Sequence, residues 1–227
     1  MVGEVEGKMG VEKGFGKRSR RDGVYWSSHD AIQGYHQTAG GVGVIVEESD
    51  KENNWEIFPD RVLLQTPIVT IRKGPVLCRR SGRRKDFYLF DFPDWVNVVA
   101  VTSDGQIVLI RQFRYGSNRV EIEIPGGMVD PGEDPVAAGC RELLEETGYA
   151  GIHARIIGRV CPNPAIQRNH CYTVLIEQAR KVEDPRMDEM EDIETSTVTV
   201  EAVRGYMTSG QIEHGLVLNA LMFYLSV

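Results

Sequence analysis

Three glutamates, Glu142, Glu145 and Glu146, lie close together in a segment whose pattern predicts a helix. Side chains at positions i, i+3 and i+4 share one face of a helix, so the three carboxylates converge. The apolar residues of the segment fall on the opposite face, at Val136, Ala137, Cys140, Leu143 and Leu144. We therefore expect the helix to bury its apolar side against a sheet while its carboxylates gather at one point.

This arrangement of carboxylates destabilises the helix. Like charges at i and i+4 repel each other mildly, and the helix dipole disfavours anions in the last turns. A bound cation would compensate both effects, and oxygen ligands without His or Cys favour Mg²⁺, or Mn²⁺ in its place, over zinc. The alternative is an ordinary solvated acidic face, which is the commoner meaning of such a pattern.

The charge balance of the chain limits the partners that it can bind. The 227 residues include 26 Lys and Arg against 33 Asp and Glu, a formal net charge of −7. A general nucleic-acid binder needs a basic surface, so no nucleic-acid partner is expected. An acidic site would also repel a phosphate substrate unless a metal ion lies between them. The hydrophobic fraction of 41% is near the globular average, which excludes a wholly disordered chain.

Neither the cysteines nor the apolar segments indicate an extracellular or membrane protein. The four cysteines are widely spaced without a CxxC pair, which favours free thiols in a reducing compartment. The N-terminal residues lack the continuous apolar stretch of a secretory signal, and no apolar run approaches the roughly 20 residues that a membrane span requires. We expect a cytoplasmic protein with no membrane partner.

The first fifty residues differ from the rest of the chain. Residues 1–52 are rich in glycine and carry a basic run at 17–21 without an apolar period, so we predict a disordered extension. One alternative is an arm that binds nucleic acid or a protein partner through Arg18, Arg20 and Arg21. Another is a natural start further downstream.

The remainder of the chain predicts a sheet with helices. Strand-like segments separated by Pro, Gly and basic turns occupy residues 53–94. The Asp104-Gly105 pair between the apolar runs 96–101 and 106–110 is a strong hairpin signal. Further elements follow: strands at 154–160, 172–178 and 197–200, an acidic loop at 183–194, and helices at 135–147, 200–207 and 214–225.

Residues 127–149 match a known signature at every defined position. They follow the pattern GX5EX7REUXEEXGU. The chain therefore resembles the Nudix hydrolase family. This resemblance implies an α/β fold, the Nudix α/β/α sandwich around a mixed sheet. It also implies hydrolysis of a nucleoside diphosphate that is linked to another moiety.

The resemblance implies roles for the residues of the signature. Glu142, Glu145 and Glu146 would bind the metal ion, and the main-chain carbonyl of Gly126 would add a further ligand. Arg141 would orient the carboxylates by ion pairing. The remaining defined residues would shape the loop and the helix: Gly127, Glu133 and Gly148.

Three features resemble one branch of the family, the ADP-ribose pyrophosphatases and nucleoside diphosphate sugar hydrolases. Pro164 lies fifteen residues beyond Tyr149, where that group has a proline. The segments 110–115 and 121–127 resemble the group's approach to the signature. The strands of 53–94 resemble its additional N-terminal antiparallel sheet, through which these enzymes form an intertwined dimer. We therefore expect a homodimer, with the Nudix domain at 95–227.

Residues outside the signature also have expected roles. Arg114 resembles the phosphate-binding arginine of the family, and its planar fork suits phosphate oxygens; a plain strand-surface arginine is the alternative. Trp95 could stack on a base of the substrate, although an aromatic residue before a strand is more often part of the core. Glu123 could add to the metal site or be a simple strand carboxylate. His170 is interpreted as an ordinary strand histidine.

Residues 188–193 resemble the family's loop that carries a catalytic glutamate just before a strand, which implies that the acidic loop supplies the general base that activates water. Spacing back from Asp192-Ile193 favours Glu189, with Glu191 as the next candidate, and Glu146 could take the role instead. A flexible, solvated loop without a catalytic role is the alternative.

These observations predict an enzyme. The expected reaction is Mg²⁺-dependent hydrolysis of the pyrophosphate bond of a nucleoside diphosphate sugar, with ADP-ribose favoured, to a nucleoside monophosphate and a sugar phosphate. The alternative substrates are GDP-mannose, NADH and a dinucleoside polyphosphate. An alternative of another class is a catalytically silent sensor that binds a nucleotide sugar.

Overall fold

The computed structural model describes residues 54–187 and 190–227. The extension expected at 1–52 and the favoured base Glu189 lie outside these residues. The strands are β1 (Trp55–Ile57), β2 (Arg61–Gln65), β3 (Thr70–Cys78), β4 (Arg83–Asp91), β5 (Trp95–Thr102), β6 (Ile107–Arg114), β7 (Arg119–Glu123), β8 (Gly126–Met128), β9 (Tyr149–Val160), β10 (Cys171–Lys181) and β11 (Ile193–Val198). The helices are α1 (Pro135–Thr147), α2 (Val200–Thr208) and α3 (Gly215–Leu225). Within the described residues, no helix has both the length and the apolar character to cross a membrane.

The first four strands form an antiparallel sheet in which β3 pairs with β1, β2 and β4. The turn between β3 and β4 contains Gly82 at φ 65°, a conformation that favours glycine because it has no Cβ. The backbone N–H of Phe90 connects this sheet to the rest of the described chain by donating to the carbonyl of Ile166 at 2.8 Å. The expected additional N-terminal antiparallel sheet is thus confirmed.

The remaining strands form a mixed sheet in the order β11-β6-β5-β10-β9, with β7 beside β6 and β8 beside β5. β10 runs parallel to β5, and the other neighbours run antiparallel. β5 and β6 form the predicted hairpin, in which Val101 pairs with Ile107 and Gly105 takes a φ of 80° in the turn. The hairpin prediction is confirmed.

Helices cover both faces of the mixed sheet. Successive residues of a strand point to opposite faces, so neighbouring valines belong to different layers. On one face, Val98 and Val174 pack with Leu143 of α1. On the other face, Val99 and Leu175 pack with residues of α2 and α3. The predicted α/β/α sandwich around a mixed sheet is therefore confirmed.

Helix α1 has the limits that its end signals predict. The carboxylate of Asp134 accepts a hydrogen bond from the N–H of Val136 at 2.9 Å, and Pro135 occupies the first turn. Gly148, at φ 71°, ends the helix and donates its N–H to the carbonyl of Leu144 at 2.8 Å. These two ends fix the position of the three glutamates along the helix axis.

The buried side of α1 differs from the predicted one. Ala137 and Cys140 are exposed instead of buried. Gly139 allows a close approach to the sheet, because a Cβ there would be 3.2 Å from side chains of β5 and β10. The helix is turned so that Glu146 is drawn into the interior instead of lying opposite the apolar face. The buried residues of α1 are Ala138, Gly139, Leu143, Glu146 and Thr147.

Candidate active site

Glu142, Glu145 and Glu146 line one cavity of 430 Å³. Helix α1 contributes them from adjacent turns, and β8, which pairs with β5, lies beside them. The three carboxylates thus border the same cavity, and their convergence on one point stays a prediction. The other residues that line the cavity are Gln112, Arg114, Gly126, Gly127, Met128, Asp130, Arg141, Arg186 and Glu191.

Glu146 is the most buried of the three glutamates, with 4% of its surface exposed. Its Oε2 accepts a hydrogen bond from the backbone N–H of Gly126 at 2.9 Å. Burial raises the pKa of Glu146 to about 8, the Gly126 hydrogen bond opposes this change, and the charge of Glu142 adds to it. Without a cation beside it, Glu146 is therefore mostly neutral at neutral pH.

Arg141 connects the other two glutamates to the loop before the helix. Its Nη1 donates to Glu142 at 2.8 Å and to Glu145 at 3.1 Å. Its Nε and Nη2 donate to the two carboxylate oxygens of Glu133 at 3.0 Å each, and Nη2 also donates to the carbonyl of Met128 at 3.1 Å. These partners, Glu133 foremost, raise the pKa of Arg141, and Arg141 in turn lowers the pKa of Glu133. The contacts are those that an orienting role would require.

Two glycines bring the backbone of β8 close to its neighbours. A Cβ on Gly127 would overlap the carboxylate of Glu142, and a Cβ on Gly126 would overlap the carbonyl oxygen of Val96. Glycine permits both approaches because it has no Cβ. The short distance is what lets the Gly126 N–H reach Glu146.

The cavity contains donors that suit a hard divalent cation, but they are not arranged around one point. In the described part of the chain, no group of three or more His, Cys, Asp or Glu side chains is placed to hold a metal ion. Glu142 and Glu145 bond to Arg141 instead, and Glu146 bonds to the β8 backbone. Burial also raises the pKa of Glu142, and Arg141 opposes this, so a cation would favour the ionised form of both buried carboxylates. By their chemistry these oxygens fit Mg²⁺ or Mn²⁺ once the side chains turn from their present partners.

Arg114 and Glu123 form a bidentate ion pair at the edge of the cavity. The Nε and Nη2 of Arg114 donate to the two oxygens of Glu123 at 2.8 Å each, and Glu123 raises the pKa of Arg114. The side chain of Glu123 is 3% exposed, whereas that of Arg114 is 41% exposed. Both oxygens of Glu123 thus bind the arginine, an arrangement different from the metal-site role considered from the sequence. The guanidinium keeps an exposed part beside the glutamates.

A second cavity, of 320 Å³, adjoins the first, and Arg114 and the β8 backbone line both. Trp95 also lines the second cavity, and its ring lies 5.3 Å from that of Phe92 at an angle of 57°. Trp95 therefore packs on an aromatic neighbour and also borders a cavity beside the arginine. Both interpretations of this residue from the sequence are compatible with its position.

The acidic loop brings one of its two candidate bases into the described site. Glu191 lines the glutamate cavity, and its charge raises the pKa of Glu142 and Glu146. Glu189, the residue that spacing favours, lies outside the described residues and stays a prediction.

The sequence patterns do not single out two polar residues that line the cavities. In the described residues, the Oε1 of Gln112 and the Nδ2 of Asn97 are buried without a hydrogen-bond partner. Gln112 lines the glutamate cavity from β6, and Asn97 lines the second cavity from β5. The signal in the sequence is a polar residue within an otherwise apolar strand. The same signal is expected at a solvent-facing position, because alternate residues of a strand point to opposite faces.

The chain belongs to the Nudix family. The NUDIX domain model matches residues 91–216, which is more than half of the chain. The signature at 127–149 lies inside this match, so the family prediction made from it is confirmed.

Two individual relatives are similar to part of the chain. The ADP-ribose pyrophosphatase of Bacillus subtilis (strain 168) is 34% identical over 122 residues, which cover 53% of this chain and 66% of the relative. The methanol dehydrogenase activator of Bacillus methanolicus is 35% identical over 109 residues, which cover 48% of this chain and 54% of the relative. The matched residues thus span between about half and two thirds of these relatives.

A solved structure has the same fold. The crystal structure of an ADP compounds hydrolase superposes with a TM-score of 0.69 and covers 78% of this chain and 96% of that chain. At 19% sequence identity, this likeness supports the fold alone.

Proposed function

We propose that this protein hydrolyses the pyrophosphate bond of a nucleoside diphosphate sugar, with ADP-ribose as the favoured substrate. The products are a nucleoside monophosphate and a sugar phosphate. The observation that carries the proposal is the cavity in which Glu142, Glu145 and Glu146 lie beside the Arg114 guanidinium. Carboxylates that can hold a cation, next to a fixed arginine, suit a diphosphate. The name of the Bacillus subtilis relative favours ADP-ribose.

In this proposal, Glu142, Glu145, Glu146 and the carbonyl of Gly126 hold Mg²⁺, with Mn²⁺ as a substitute. The bound ion would neutralise charge on the phosphoryl oxygens and lower the pKa of the attacking water. Arg141 acts indirectly, because it competes for Glu142 and Glu145 and so determines where these carboxylates point.

Arg114 binds the phosphates in the proposed complex. Its Nε and Nη2 donate to Glu123, and Nη1 is the guanidinium nitrogen without a role in that pair. Because the ion pair with Glu123 already fixes the guanidinium, the arginine would lose little side-chain freedom when a phosphate binds. The positive charge adds to transition-state stabilisation as negative charge shifts between phosphoryl oxygens.

The proton of the attacking water goes to a carboxylate of the loop or of the helix. We propose Glu189 as the general base, with Glu191 and Glu146 as the alternatives. Glu191 has the support of its position in the glutamate cavity. Glu146 would serve only in its ionised form, and its raised pKa makes this form depend on a nearby cation.

We also propose that the enzyme is a homodimer joined through the N-terminal sheet. Leu64, Phe87 and Tyr88 of this sheet are 53%, 47% and 51% exposed. Phe87 and Tyr88 also line a groove of 720 Å³, together with Trp55, Val76 and other mainly apolar residues. Soluble monomers rarely expose large contiguous apolar patches, so a second copy is the proposed cover.

The test is hydrolysis of ADP-ribose with Mg²⁺ in ¹⁸O-labelled water, followed by mass spectrometry of the products. We expect AMP and a ribose phosphate, one of which carries the label and so identifies the phosphorus that is attacked. GDP-mannose, NADH and a dinucleoside polyphosphate serve as comparison substrates. Nucleotide-sugar binding by calorimetry without turnover of any of them would contradict the proposal and favour a sensor.

A further inference from the structure

A buried amide in the second cavity has no partner. Asn97 lies in β5 between Val96 and Val98, with 9% of its surface exposed. In the described residues, its Nδ2 is fully buried and finds no hydrogen-bond acceptor. Buried polar groups are nearly always paired, because an unpaired donor loses its hydration without compensation. A valine or leucine would fill the same position without this loss.

The face on which Asn97 lies connects it to helix α3. Residues two apart on a strand share a face, so Asn97 lies on the same side as Val99, which packs with the residues of α2 and α3. His214 and Leu216, at the start of α3, line the second cavity together with Asn97. His214 is the N-cap residue of that helix, but its side chain forms no capping hydrogen bond.

The second cavity adjoins the glutamate cavity, because the two share lining residues. Arg114, Gly126, Gly127 and Met128 line both. A group attached to a diphosphate at the glutamates would therefore reach the second cavity past Arg114. The volume of 320 Å³ is at the lower end of the range for ligand pockets, about 300–1,000 Å³, and suits one ring system with its substituents.

We infer that Asn97 determines substrate specificity: its amide turns into the second cavity when substrate binds, and Nδ2, buried in the free protein, then donates a hydrogen bond to the sugar or base that the diphosphate carries. This inference rests on the proposed function. The acceptor is an oxygen or a ring nitrogen of that group. The unpaired amide lowers the stability of the free protein. This loss is recovered when the substrate supplies the acceptor. Trp95, at the side of the same cavity, provides an apolar surface for the ring.

Asn97→Leu should weaken substrate binding without lowering the stability of the free protein. The leucine keeps the branched shape and removes both polar atoms. We expect its KM for ADP-ribose to rise about ten-fold, the effect of one lost hydrogen bond, with kcat within a few-fold of the wild type. Its Tm without substrate should be unchanged or about 2–4 °C higher, because the unpaired donor is gone.

Asn169→Leu is the matched control for stability. Asn169 is also buried, and in the described residues its Oδ1 likewise has no partner, but its Nδ2 donates to the carbonyl of Pro93 at 3.0 Å. We expect this variant to have a lower Tm than the wild type. Asn97→Ser, a smaller residue, repeats the KM measurement if the leucine does not fit.

The substrate panel identifies the acceptor and distinguishes the two ways of failing. In one series of substrates the base changes while the sugar is constant, and in the other the sugar changes while the base is constant. The KM difference between wild type and Asn97→Leu should disappear in only one of the two series. An unchanged KM for every substrate that the wild type hydrolyses would overturn the inference and leave the proposed function intact. If the wild type hydrolyses none of them, the proposed function fails. Calorimetry with a non-hydrolysable ADP-ribose analogue then decides the inference: about ten-fold weaker binding to Asn97→Leu supports it, and equal binding refutes it.

Discussion

Glu146 differs from the two other glutamates of α1 in its surroundings, and this difference determines what each can do. Glu142 and Glu145 bond to Arg141 and stay partly accessible, whereas Glu146 is buried and bonds to the Gly126 N–H. A buried carboxylate that is neutral alone and ionised beside a cation couples metal binding to its own charge.

Glu146→Gln should therefore abolish activity while preserving the fold. Glutamine keeps the shape and can still accept from Gly126, but it is a poor ligand for a hard cation. We expect kcat to fall by about 10³-fold or more, comparable to the loss of a preorganised electrostatic group. The exposed Glu201 of α2 gives the control Glu201→Gln, which should have wild-type turnover. Near-native turnover of Glu146→Gln in saturating Mg²⁺ would refute the metal-ligand role.

The raised pKa of Glu146 predicts how stability changes with pH in the metal-free protein. A folded-state pKa of about 8, above the ordinary 4.5, gives stability that is fully present below pH 4.5 and is lost as pH rises through about 8. We expect the Tm of the wild type in EDTA to fall over this range relative to that of Glu146→Gln. Parallel Tm curves for the two proteins would contradict the prediction. Added Mg²⁺ should raise the wild-type Tm most at the upper end of the range.

At the level of single residues, the sequence identifies the charged groups but not their pairing. The Arg114–Glu123 pair depends on the register of β6 and β7, in which Ile110 pairs with Glu123. No short stretch of the sequence indicates which residues of β6 and β7 pair with each other. Asn97 is missed for a similar reason, because a polar residue in a strand is equally expected at a solvent-facing position.

At the level of elements, β8 and α1 must approach closely, and the two glycines of β8 contribute in different ways. On Gly126, a Cβ would meet the backbone carbonyl of Val96, which cannot move without breaking the β5–β8 pairing. On Gly127, a Cβ would meet only the flexible end of the Glu142 side chain.

Alanine at these two positions should therefore separate stability from activity. We expect Gly126→Ala to lower the free energy of unfolding by about 1–3 kcal/mol, the usual cost of overpacking. Gly127→Ala should keep a near-native Tm but lose metal affinity and kcat, because Glu142 is displaced. Thermal melts and Mg²⁺ titrations of both variants provide the measurement. Equal Tm losses would show that the two glycines have the same role.

Elements with strong local signals could be predicted well, and those that depend on packing could not. The limits of α1 follow from Asp134, Pro135 and Gly148, whose conformational preferences act locally. The start of β11 at Ile193 falls inside the predicted acidic loop, because pairing with β6 extends the strand. The rotation of α1 about its axis is set by the small residues Ala138 and Gly139 against the sheet, which periodicity alone did not reveal.

At the level of the whole molecule, the N-terminal sheet is an addition to the sandwich that holds the glutamates. The sheet spans Trp55 to Asp91, and the family match begins at residue 91. Its exposed apolar side chains have no evident use in a single copy of the described residues. The homodimer is the proposal that would bury them.

A charge on this sheet should weaken the dimer. We expect the wild type to be a dimer by light scattering at micromolar concentration and Phe87→Asp to shift towards monomer, because an unpaired charge would enter an apolar interface. Met222→Asp, at an exposed position of α3, is the control that should stay dimeric. A monomeric wild type would contradict the proposal of a homodimer.

Binding of a divalent cation by the glutamates of α1 can be tested by anomalous diffraction from crystals with Mn²⁺ and a non-hydrolysable ADP-ribose analogue. We expect a manganese peak bound by Glu142 and Glu146, with the Arg141–Glu142 contact lengthened from 2.8 Å. Carboxylates that keep their present partners, with no anomalous peak in the cavity, would contradict it.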